Sequence, residues 1–200
     1  LLFWGKKMAL PESQETPRGR HLQDIVEKAA ATDLAGWPML NEKDYVLVGA
    51  FVVLFSYIDL NLRRVIEAFN HAGLLNPPWK ARIGNLNSAE VADAIQSLPC
   101  WDEPGRQALA EIEELRKFRN LVAHFAVRRF PEDDGFLFIA KSARDYKRQF
   151  GADPEPGAML TAVVDCEQMR GALRHVEHVQ NWLSTATANL EEHLDPRDRS

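Results

Sequence analysis

Glu111-Ile-Glu-Glu-Leu-Arg-Lys-Phe-Arg-Asn-Leu-Val-Ala-His-Phe125 is the stretch on which the fold of this chain turns. Placed on a helix of 3.6 residues per turn, Ala108, Ile112, Leu115, Phe118, Val122, Phe125 and Ala126 fall on one broad stripe, which requires burial against other helices. Asn120 and His124, four apart, share the far face with Glu113 and Lys117. Arg119 projects at the edge of the stripe, beside Ala123 and Arg116. The charge changes sign along the segment, from Glu111, Glu113 and Glu114 to Arg116, Lys117, Arg119, Arg128 and Arg129. Acids near the start and bases near the end suit the helix dipole. The same order places the basic end around His124, as a phosphate-binding cleft would require.

Arg119 and His124 lie five apart, about 140° around and about 7.5 Å along one helix, so they do not converge on a single atom unaided. Two copies packed about a two-fold axis can bring the histidine of one chain toward the arginine of the other and line one cleft with four groups. The spacing therefore predicts a homodimer across this helix.

Arg-Asn-x-x-x-His after a leucine- and charge-rich helical turn resembles the HEPN superfamily, all-α domains whose signature is R-x-x-x-x-H, commonly with Asn directly after the Arg. The resemblance covers residues 103 to 129 closely and the helices on either side more loosely. It implies a metal-independent endoribonuclease with Arg119, Asn120 and His124 as catalytic residues, RNA as substrate and no cofactor. It also implies a toxin or defence role, with an antitoxin or regulatory protein as a further partner. A non-catalytic module of the same family, holding a nucleotide, RNA or another protein, is the alternative. In one toxin branch a Tyr two residues after the His is nucleotidylated by a partner; here that position is Ala126, and that mode of control is not expected.

Chemistry gives each residue a role. RNA carries its own nucleophile, the 2′-hydroxyl, so cleavage needs only a group to move a proton and groups to steady the phosphate charge. An imidazole titrates near neutral pH and suits the first task, assigned to His124. The planar fork of Arg119 suits the second. Asn120 would orient His124 or the phosphate, and Arg116 could steer the RNA backbone.

The remaining sequence reads as scaffold. Two hundred residues, 46% hydrophobic, suffice for a single domain with a sizeable core. A net charge of −5 argues against a protein that coats nucleic acid nonspecifically, while leaving room for a local basic cleft. Cys100 and Cys166 lack CxxC spacing and are too few for a disulfide framework, so they read as small buried residues in a reducing, cytoplasmic setting. No apolar run is expected to cross a membrane. Leu1 to Met8 lacks the ordered basic, apolar and small-residue regions of a signal peptide.

Residues 1 to 20 form a poorly ordered segment on this reading, 21 to 194 one helical domain, and 195 to 200 a frayed tail. A short helix is expected from His21 to Ala31. Asn41, with Asp44 at the third helical position, starts a long helix to about Ala72, closed by Gly73, with Val48, Phe51, Val52, Phe55, Ile58, Leu62, Val65, Ile66 and Phe69 inward. Asp59 interrupts that stripe and needs a partner: Arg63, one helical turn on, or Arg119 or Asn120 across the core. Asn87 and Glu90 open another helix, to about Leu98. The motif helix is expected to run to about Arg129. Phe136 to Ala140 and Met159 to Val164 read as a β-hairpin, whose tip carries Tyr146, Lys147 and Arg148, and Asp165 with Gln168 caps a last helix to about Leu194. Together these predict an all-α bundle of four or five helices with a small β-hairpin, at about residues 136 to 164, before the last helix. His175 and His178 share a face with Trp182, yet no further ligand at a recognisable spacing makes them a metal site.

Overall fold

A computed structural model of the chain describes residues 17–29, 36–98, 103–140, 153 and 160–194. It is mostly helical, with one small three-stranded antiparallel sheet. The principal helices are α1 (Pro17–Ala29), α2 (Glu42–His71), α3 (Pro77–Lys80), α4 (Ser88–Gln96), α5 (Glu103–His124) and α6 (Cys166–Leu194). The strands β1 (Ala126–Arg129), β2 (Gly135–Ala140) and β3 (Leu160–Asp165) lie between α5 and α6 in the chain. Two compact units divide it, Leu1–Val52 with Lys117–Leu173, and Val53–Arg116 with Arg174–Ser200.

The helix starts follow local chemistry. Asn41 and Asp44 cap α2 reciprocally, Asp44 N donating to Asn41 Oδ1 at 3.1 Å and Asn41 N to Asp44 Oδ2 at 2.9 Å. Asn87 and Glu90 do the same for α4, and Asp165 and Gln168 for α6. At the other end of α2, Gly73 adopts φ +73°, and Leu74 N and Gly73 N donate to the carbonyls of Phe69 and Asn70. These two bonds satisfy carbonyls that a helix end leaves open, in a backbone conformation that costs glycine little.

In the first unit β2 is the central strand, antiparallel to β1 on one side and to β3 on the other. Phe136, Leu137 and Phe138 are all fully buried, so this strand has a core on both faces. Leu137 joins Leu22 and Val26 of α1 with Phe130 and Val163. Phe138 stacks edge-on against Phe118, which meets Phe51 in the same manner. A Cβ at Gly135 would lie 3.1 Å from the Leu22 side chain, so this close approach of α1 calls for glycine. Arg18 and His21 hold α1 from its polar side, at 2.5 and 3.1 Å from the Asp133 carboxylate.

In the second unit the buried stripe of α2 continues as Phe55, Ile58, Leu62, Val65, Ile66 and Phe69. Ala94 and Ile95 of α4, Leu109, Ile112 and Leu115 of α5, and Val176 and Leu183 of α6 are buried there as well. Removing that much apolar side chain from water at roughly 25 cal/mol per Å² is the main favourable term in folding.

Several expectations need correction. The motif helix ends at His124, and Ala126–Arg129 is strand rather than a last helical turn. No glycine or proline marks the stop; it comes from tertiary pairing, Ala126 to Arg129 lying opposite Ile139 to Phe136, with Arg129 N donating to Pro38 O. Ala126, placed on the apolar stripe by periodicity, is exposed in consequence. The first helix opens at Pro17 rather than His21. One helix, α2, does contain a window long and apolar enough to cross a membrane by length and composition. Its apolarity exceeds what one buried face requires, because a second, outward face is apolar too. The remarks on Leu1 to Met8, Cys100, the hairpin tip and the tail fall outside the described residues.

Candidate active site

Arg119, Asn120 and His124 occupy the last two turns of α5, all in the first unit. Phe118, Leu121 and Val122 are buried beside them and fix the rotation of the helix, with Phe118 locked between two aromatic rings. The face left outward carries Lys117, Asn120, Ala123 and His124, all exposed, with Arg119 half-buried at its margin. Arg119 Nη1 donates to Asn120 Oδ1 at 2.9 Å, so the asparagine holds the guanidinium on this face. His124 is the final helical residue.

The β1 edge continues the basic character. Arg129 is tied down, its Nη1 2.5 Å from Asp44 Oδ1 and its Nη2 2.6 Å from Asp134 Oδ1. Burial costs the Arg129 guanidinium some of its charge preference, yet these two carboxylates more than restore it and hold the group protonated. It fastens β1 to α2 rather than facing a ligand. Lys117 was not assigned a role by sequence; its spacing of three and seven from Asn120 and His124 is the signal that groups it with them.

Asp59 and Arg116 belong to the second unit. Arg116 is buried, its Nη2 donating to Asp59 Oδ1 at 2.9 Å and its Nη1 to Ser88 O at 3.2 Å and to Glu113. Its guanidinium also lies 5.8 Å from the Phe55 ring centroid, a cation–π contact. Asp59 thus meets the motif helix through Arg116, while Arg63, the alternative partner, donates to Leu86 O at 3.1 Å. Arg116 is in no position to steer an RNA backbone as sequence suggested: a short distance along the helix from Arg119, it is a fastening between helices.

Cys166, His175 and His178 are the other groups that the sequence singles out. Cys166 is buried; burial pushes its thiol up to about 12, reinforced by the Asp134 carboxylate beside it, so it stays a thiol at neutral pH. His175 lies 3.6 Å from Glu111, and both it and His178 are exposed. No group of three or more His, Cys, Asp or Glu residues among those described could hold a metal ion.

Compared with family models, curated proteins and solved structures, the chain matches none.

Proposed function

We propose that the chain is a metal-independent endoribonuclease of the HEPN type, a bundle of four or five helices acting in the cytoplasm as a homodimer. The observation that carries this reading is the exposed His124 at the end of α5, with Arg119 and its partner Asn120 one turn earlier on a face whose other polar group is Lys117. Two cations, Lys117 and Arg119, beside one histidine suit a phosphodiester.

In the reaction the 2′-oxygen of the RNA bonds to the adjacent phosphorus and the bond from phosphorus to the 5′-oxygen breaks. An imidazole takes the 2′-hydroxyl proton, and the 5′-oxygen leaves with a proton supplied by the second copy's histidine or by solvent. Arg119 contacts the phosphate oxygens as charge accumulates on them, and Asn120 orients the guanidinium that does so. The products are a 2′,3′-cyclic phosphate and a 5′-hydroxyl. Purified protein is incubated with structured and single-stranded RNA in EDTA, wild type beside His124→Ala. Cleavage to those termini by the wild type alone supports the proposal; no cleavage of either RNA, or equal cleavage by both proteins, removes it.

An RNA-binding module without catalysis is the second reading. The half-burial of Arg119 favours it, since a partly covered guanidinium reaches fewer phosphate oxygens. RNA retention with no cutting would select it. A toxin or defence role, restrained by an antitoxin or regulator, belongs to either reading.

A further inference from the structure

Helix α2 has two apolar faces. Phe51, Ile58 and Val65, spaced by seven, are buried. Val46, Val53 and Leu60, also spaced by seven, are exposed at 67, 55 and 51%, with Tyr57 at 51% one turn before Leu60. On a helix these two sets stand more than a quarter-turn apart, so the second is an outward seam and not the margin of the core. Between its large residues stand Gly49 and Ser56, again seven apart. A Cβ built on Gly49 meets nothing within 4 Å, so the backbone there lies open to close approach.

From this seam we infer that the outer face of α2 is where a second copy of this chain docks. A 3.5-residue apolar repeat is complementary to another of the same period, and small residues alternating with Val and Leu let two helices approach closely. Tyr45, Val46, Val53, Tyr57 and Leu60 expose on the order of 500 Å² between them, a size at which an apolar patch is often functional. Two such faces together bury about 1,000 Å², the threshold of a specific interface. A lipid surface fits less well. Helices that lie on membranes carry Lys and Arg along the polar face, whereas Tyr45 to Ile58 of α2 contains neither on any face and the chain bears a net −5.

The inference rests on the homodimer of the ribonuclease proposal but assigns its contact to α2 rather than to the motif helix; oligomeric state is measured without RNA, so a monomer that cuts RNA and a dimer that does not are distinguishable outcomes. Light scattering on the full chain at micromolar concentration should give the mass of a dimer, and Val53→Glu with Leu60→Glu should give a monomer with unchanged far-UV circular dichroism. As a second probe that leaves the seam apolar, Val53→Cys near its midpoint should form a covalent dimer under mild oxidant, where the wild type treated identically does not. A monomeric wild type, a double variant that stays folded and dimeric, or a Val53→Cys protein that does not cross-link would overturn the inference. So would a monomer that floats with phosphatidylcholine–phosphatidylglycerol vesicles, which would assign the seam to lipid.

Discussion

Arg116 and Arg119 stand three residues apart on one helix, and their surroundings differ in kind. Arg116 is 7% exposed, with its guanidinium spread over a carboxylate from α2, a carbonyl from the start of α4, Glu113 and the face of Phe55. Arg119 is half-buried, held by the neighbouring Asn120, on a face that ends in exposed His124. A guanidinium offers five donors in a fixed fork. Where protein acceptors surround it the group fastens helices; on the proposed reading the more exposed Arg119 is the one that meets a phosphate. Residue type is shared by both positions, and on the proposed reading the neighbourhood is what separates a structural arginine from a chemical one.

Substitution should separate them further. The largest effect is expected at the open end, where His124→Ala should slow RNA cutting by about 10²- to 10⁴-fold with the melting temperature unchanged, as measured on one preparation. Arg119→Lys, which keeps the charge and loses the fork, should also be badly impaired in cutting. At the closed end Arg116→Ala should cost about 3 kcal/mol in urea unfolding, because Asp59 and Glu113 lose their cation. Asp59→Ala should cost less, about 1–3 kcal/mol, since Arg116 retains Glu113 and the Ser88 carbonyl. Urea midpoints that leave Arg116→Ala as stable as wild type would erase the distinction.

A smaller effect concerns α1. The Arg18 guanidinium, reinforced by His21, holds the Asp133 carboxyl below the usual carboxylate range. A carboxyl depressed by folding stabilises the native state above its unfolded pKa of about 4, and that stabilisation is lost as the pH falls through the lower, folded value. Arg18→Ala should therefore reduce stability modestly at pH 7 and shrink its decline below about pH 4. Because Arg18 and His21 reach solvent, which screens the pair, the shift in melting temperature should be the smallest of the series.

Much of the helical scaffold was legible because local rules govern it. The Asn41, Asn87 and Asp165 caps and the Gly73 close act within one turn, and the Phe51 to Phe69 stripe repeats over several turns. The strands at 135–140 and 160–165 were legible from their runs of apolar residues, within a residue of the reading. What local rules could not reach was the end of α5. Ala126-Val-Arg-Arg129 has no breaker and continues the helical period, yet it becomes an edge strand because β2 offers its backbone a partner and Phe130 enters the cluster with Leu22 and Leu137. Asp59 illustrates the same limit: periodicity marked it as needing a cation, but that Arg116 supplies one depends on packing between helices distant in sequence. The apolar outer face of α2 was hidden for another reason. A helix apolar on both sides has no contrast from which to read its second face.

The central claim, that the end of α5 is a ribonuclease site, is tested most directly by RNA cleavage in EDTA with Arg119→Ala and His124→Ala at matched folded concentration. Loss of the 2′,3′-cyclic phosphate product in both, with native circular dichroism and retained RNA binding, is the predicted result; cutting by either variant at the wild-type rate would contradict it.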